Sequence, residues 1–88
     1  VFIGDGAGRL NATGSNNVFI GAQAGVPGSA GALTNAVAIG AGAQVTASNS
    51  VVLGNNANVG IGTTAPQVRL DVVSTAANQS GVRLRNLT

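Results

Sequence analysis

The chain has 88 residues, a net charge of +2 and no His, Cys, Trp, Tyr or Met. Its only carboxylates, Asp5 and Asp71, are far apart in the sequence, so acid–base or triad catalysis has almost no candidates. Four basic residues without interleaved aromatics are too few for a nucleic-acid surface. No apolar run approaches the roughly 20 residues of a membrane helix. We therefore expect no enzyme, no cofactor or metal site, no nucleic-acid partner and no membrane-embedded segment.

A seven-residue sequence motif, which we call the phrase, recurs five times along the chain. Each copy reads Val, any residue, Ile or Leu, Gly, any two residues, Ala. The five copies begin at residues 1, 18, 37, 51 and 59, so the steps between them are 17, 19, 14 and 8 residues. A fixed phrase with variable spacers is typical of a repeat architecture.

The first three residues of each copy predict a short strand. The Val and the Ile or Leu lie two positions apart, so in a strand they share one face. β-Branched residues and a Gly after every third residue disfavour a helix. We assign this shared face to the core of the repeat, with the residues Val1, Ile3, Val18, Ile20, Val37, Ile39, Val51, Leu53, Val59 and Ile61.

The residues between these pairs are also non-polar. A strand that is apolar on both faces is buried on both faces. The few small side chains of one coil also bury too little surface to offset the backbone entropy of ordering it. We therefore predict an oligomer in which the second face is buried between chains, with the candidate contacts Phe2, Phe19, Ala38 and Val52.

Each predicted strand ends at a corner. A Gly stands at the fourth position of every copy, where a residue without Cβ allows positive φ or close backbone approach. The Ala three residues later is a small group that fits inside the coil, and Asn residues two before the Val can turn the chain. The corner glycines are Gly4, Gly21, Gly40, Gly54 and Gly62. The sequence thus predicts an all-β fold, a parallel β-roll or β-solenoid of 14- to 19-residue coils.

The pattern changes toward the C-terminus. The 8-residue step is too short for a full coil, so we expect the winding to change near Asn58. Pro66 stops the phrase, because proline cannot donate to a strand ladder. We place the β-roll repeats in residues 1–65 and a capping or transition segment in residues 66–88. That segment contains VRLDVVS and VRLRNLT as two strands joined by a loop, and its Arg residues mark a solvated face or a contact with an anionic glycan or another chain.

The stretch NAVAIGAGAQVTASNSVVLGNNA, residues 35–57, resembles two successive head repeats of trimeric autotransporter adhesins of the YadA-like type. Their pattern is Asn, Ser, Val, Ala, Ile, Gly, any two residues, Ala, with a period of 14. The resemblance implies a left-handed parallel β-roll in an intertwined or side-by-side homotrimer. It also implies an extracellular fibre on a bacterial cell surface, which adheres to a host receptor, matrix or surface glycan.

Two other functions are weighed against this one. NVGIGTTAPQVRLDVV, residues 58–73, is similar to a junction in bacterial and phage fibre proteins. That similarity implies a spacer or receptor-presenting segment of a phage or phage-like tail fibre. An ice- or polysaccharide-binding solenoid is less favoured, because the Thr residues keep no common phase and aromatics and acids are scarce. A calcium-binding roll is also disfavoured, because the position of Asp5 in the first copy holds no acid in the others.

Overall fold

The computed structural model describes residues 1–11, 13–28, 32–77 and 81–87. Within these ranges every regular element is a β-strand. The six strands are β1 (Phe2–Ile3), β2 (Val18–Ile20), β3 (Ala36–Ile39), β4 (Ser50–Leu53), β5 (Val59–Ile61) and β6 (Leu70–Val72). All pairs between them are parallel. The predicted all-β class is confirmed.

The first four strands form one sheet in chain order, β1-β2-β3-β4. The register places equivalent positions of the repeated phrase side by side, as in Val18 beside Val37 and Ile39 beside Leu53. One full coil therefore separates each strand from the next. The three coils contain 17, 19 and 14 residues, which are the distances between successive copies of the phrase. This arrangement confirms the predicted parallel β-solenoid. The number of chains in the assembly stays a prediction.

The chain returns between strands by segments with little ladder structure of their own. Two isolated parallel bridges link them, Ser15 with Thr34 and Gly25 with Gln44. The amide of Gly25 donates to the carbonyl of Ala43 over 2.9 Å, which ties two successive coils together. The coil therefore has one well-formed strand and one loosely bridged return side.

The five predicted corner glycines all adopt positive φ. The values are 125°, 126° and 123° at Gly4, Gly21 and Gly40, and 82° and 79° at Gly54 and Gly62. A Cβ added to Gly4 would lie 2.6 Å from the carbonyl carbon of Gly21, and one added to Gly21 would lie 2.6 Å from that of Gly40. The corners at Gly4 and Gly21 thus pack directly on the backbone of the next coil, which only a residue without Cβ allows.

The interior of the solenoid holds the residues that we had assigned to an oligomer contact. Phe19 and Ala38 are completely buried within the single chain, and Val52 packs against them from the next coil. Phe2, which is 48% exposed, stacks on Phe19 with ring centroids 5.0 Å apart. The remaining core residues are Ala24, Val26, Leu33, Ala36, Ala43 and Val45.

The residues that the sequence assigns to the core are not buried, and those of the four-stranded sheet lie on the face opposite the core, which corrects the assignment. Six of them remain exposed in the four-stranded sheet or in β5, and the others are half-buried. The exposed ones are Val1, Ile3, Ile39, Val51, Leu53 and Ile61; the half-buried ones are Val18, Ile20, Val37 and Val59. Successive side chains of a strand point to opposite faces, so the sequence separates the two sets of residues. It does not determine which set points inward when both are apolar.

The contacts divide the chain into two units, Val1–Ala57 and Asn58–Thr88, whereas the sequence placed the boundary after residue 65. The fifth copy of the phrase does not extend the ladder of the other four. Its strand β5 pairs with β6, so that Val59 lies beside Leu70 and Ile61 beside Val72. The 8-residue step leaves too little chain for another coil, and the winding changes at Asn58 as expected.

The second unit has a smaller strand content than the sequence predicted. Strand β6 lies inside the first predicted strand, VRLDVVS. The second, VRLRNLT, is wrong: residues 82–87 form no strand and are exposed, because no neighbouring strand pairs with them among the described residues. Residues 78–80 of the predicted connecting loop and residue 88 lie outside the described residues, as do residue 12 and residues 29–31 in the two longer coils.

Candidate functional site

The chain has few side chains of the kinds that catalyse reactions or bind metals. The two carboxylates belong to different units, and the sequence has no His or Cys to combine with them. Among the described residues, no group of three metal-binding side chains occurs. No helix there has the length and apolar character needed to cross a bilayer. The candidate functional site that the structure offers is a surface.

That surface is the outer side of the four-stranded sheet, which we call the outward face and define by the Val and the Ile or Leu of each strand. The register stacks these residues in two files. One file runs through Val18, Val37 and Val51; the other runs through Ile3, Ile20, Ile39 and Leu53. At the usual spacing of about 4.8 Å between paired strands, four strands span about 14 Å. The outward face is therefore a regular apolar strip.

The two ends of the strip are bounded by turn residues. The corner glycines close one end of the strands. At the other end, Asn16, Asn35 and Asn49 adopt left-handed φ values of 60°, 58° and 58°. The Asn35 amide nitrogen donates to the Asn49 side-chain oxygen over 3.2 Å, from one coil to the next. The Asn residues predicted to turn the chain therefore also stack on one another.

The inward-facing and outward-facing positions of the strands differ in how much their residues vary from coil to coil. The outward positions hold only Val, Ile or Leu in every coil, whereas the inward positions hold Phe2, Phe19, Ala38 and Val52. The two Phe lie in the 17- and 19-residue coils, so inward size varies along the solenoid. The side chains of the two outward files do not pack inside the coil, so the space inside the coil does not limit their size.

Sequence reasoning missed one structural residue, Asn17. Its side chain is buried, with its amide donating to the carbonyl of Leu33 over 2.8 Å and its oxygen accepting from the amide of Ala36 over 2.9 Å. These bonds hold the 19-residue coil against its neighbour. The available signal was its place directly before Val18, where the next two coils hold the small residues Ala36 and Ser50.

The fold and the outward face define the class of this chain as a parallel β-solenoid with an uncovered apolar sheet face. Comparison with known proteins finds no family model, no curated protein and no solved structure that matches it.

Proposed function

We propose that the chain is a structural and adhesive segment of a trimeric extracellular fibre on a bacterial surface. The observation that supports this proposal most is the outward face. Large apolar side chains such as Val51 and Leu53 are 66% and 50% exposed in the single chain. A contiguous apolar strip of this kind marks an interaction site.

The occupant of the outward face is two further copies of the same chain. A strip with one Val and one Ile or Leu per coil needs a partner whose apolar groups recur at the same spacing. The outward face itself has that spacing, so copies that lie side by side about a common axis match coil for coil. In such closed assemblies every chain uses the same surface. The bacterial fibre, its surface location and its adhesion to a host receptor, matrix or glycan follow from the resemblance to adhesin head repeats.

The assembly is tested by a matched pair of substitutions, Val51→Asn and Val82→Asn. The two valines have nearly equal exposure in the single chain, 66% and 64%, but only Val51 lies on the outward face. Val51→Asn places an amide in the contact between chains, where it lacks partners, so we expect the trimer to dissociate at least tenfold more readily. Sedimentation equilibrium measures this directly. Equal association constants for the two variants would contradict the proposal.

The second candidate is a spacer or receptor-presenting segment of a phage or phage-like tail fibre. The change of sheet at Asn58 favours it, because the solenoid gives way there to the separate β5–β6 pair at the stretch that resembles fibre junctions. Beads coated with the 88-residue chain separate the two functions. Retention on host cells or matrix above that of beads coated with bovine serum albumin supports adhesion, and equal retention supports a spacer.

A further inference from the structure

A small pocket lies where three successive coils meet, away from the outward face. Its volume is about 70 Å³. The first coil contributes Gly6, Arg9 and Leu10, the second contributes the segment around Gln23, and the third contributes Gln44. None of these residues belongs to a strand. The pocket is therefore formed by corner and return segments that the assembly proposed above does not use.

The backbone around this pocket is held by hydrogen bonds within and between coils. The amide of Arg9 donates to the carbonyl of Gly6 over 3.3 Å, and the amide of Gln23 donates to the carbonyl of Asp5 over 2.8 Å. The Gly25–Ala43 bond fixes the second coil against the third. The pocket is thus formed before any ligand arrives, which reduces the entropy lost on binding.

Gln23 has a backbone conformation that its side chain does not favour. Its φ is 61°, in the left-handed region, while the equivalent positions of three other copies hold Gly6, Gly42 and Asn56, residues that tolerate positive φ. Its Cγ lies 3.6 Å from the point where a Cβ on Gly6 would stand. A Gly at position 23 would make the turn without strain, so the turn does not require the side-chain carboxamide of Gln23. Strain of this kind is often found at binding sites.

The pocket brings one cation together with two amides. Arg9 is the only basic side chain in residues 1–57, and the one carboxylate of that range, Asp5, does not line the pocket. A guanidinium binds a carboxylate through two parallel N–H groups. The carboxamides of Gln23 and Gln44 both donate and accept hydrogen bonds, which suits neighbouring hydroxyls. Leu10, half exposed beside them, offers an apolar wall.

The size of the pocket limits what enters it. At roughly 10–15 Å³ per water, it holds about five to seven waters, enough for a carboxylate but not for a whole sugar ring. We propose that this pocket binds the carboxylate of an acidic sugar residue, with Arg9 on the carboxylate, Gln23 and Gln44 on adjacent hydroxyls, and Leu10 against the ring. The inference goes beyond the proposed function, because the pocket is complete within one chain and does not require a trimer.

The test is a titration of the isotope-labelled 88-residue chain with sodium glucuronate at constant ionic strength, followed by NMR. We expect saturable shifts of the Gln23 and Gln44 side-chain amide signals with a millimolar dissociation constant. Glucose lacks the charge and should cause no saturable shift. Acetate lacks the hydroxyls and should bind about tenfold more weakly than glucuronate.

The matched variants are Arg9→Gln and Arg83→Gln, both at exposed arginines. Arg9→Gln should weaken glucuronate binding at least tenfold, and Arg83→Gln should leave it unchanged. No saturable shift with glucuronate, or equal weakening by both variants, would overturn the site. Equal binding of acetate and glucuronate would overturn its assignment to a sugar. Because the shifts are measured whatever the chain's mass, this result is independent of the outcome for the trimer.

Discussion

The two faces of the four-stranded sheet carry similar apolar residues but have different surroundings. In β3, Ala38 points into the solenoid and is fully buried, while Ile39, the next residue, is 39% exposed on the outward face. In β4, Val52 packs against the core and Val51 is exposed. The inward face is buried within one chain, and the outward face is left partly exposed. In the proposed trimer, folding and assembly therefore use opposite sides of the same short strands, and substitutions on the two sides should have separate effects.

The largest expected effect on folding comes from the inward face. Phe19→Ala removes the largest fully buried side chain and leaves a cavity between coils. We expect the free energy of unfolding to fall by about 3–5 kcal/mol. Phe2→Ala, at a ring that is 48% exposed, is the control and should cost clearly less. Denaturant unfolding followed by circular dichroism measures both, and equal losses would contradict the assignment of the inward face.

The next effect is at the corners. Gly21→Ala places a Cβ 2.6 Å from the carbonyl carbon of Gly40, at a φ of 126°. The strain alone should reduce the free energy of unfolding by about 1–3 kcal/mol. Gly28→Ala is the control, because its added Cβ would lie 3.8 Å from Leu10 in ordinary contact. Thermal unfolding should show a lower melting temperature for the first variant alone; a similar drop in both would argue against corner packing.

A smaller effect is expected at Asn17. Asn17→Ala leaves the buried carbonyl of Leu33 and amide of Ala36 without the bonds that the side chain makes to them. The carbonyl of Leu33 keeps its bond from the amide of Ser15 over 3.1 Å, but the buried amide of Ala36 is left unsatisfied, which costs about 1–3 kcal/mol. Asn58→Ala, which removes one exposed bond to the carbonyl of Pro66, should change stability by less than about 0.5 kcal/mol. Amide hydrogen exchange near Ala36 should accelerate only in the first variant, and unchanged exchange there would show that Asn17 does not hold the longer coil.

Much of the fold could be predicted from the repeated phrase. The corner position of Gly21 and the pairing of Val37 with Val51 follow from the fixed order of residues within each copy, because stacked coils bring equivalent positions together. The direction of the faces could not be predicted, since both are apolar. The pairing of β5 with β6 could not be predicted either, because no copy of the phrase marks Leu70.

The candidate sites were less predictable than the fold. The sequence predicts that one apolar face is left for a partner. It assigns Phe19 and Ala38 to that face, whereas in the structure Val51 and Leu53 are the exposed residues. Asn17 follows Asn16 directly, and only the small residues at its equivalent positions, Ala36 and Ser50, mark it as the buried amide. The pocket joins Arg9 to Gln44 across three coils, so only the register of the solenoid brings them together.

In the proposed trimer, two further copies of the chain cover the outward face. Light scattering of the purified 88-residue chain over several decades of concentration tests it most directly. Each chain has a mass of 8.4 kDa, so a trimer should have a mass of about 25 kDa that persists on dilution. A folded species that stays at 8.4 kDa across the whole range would contradict the account.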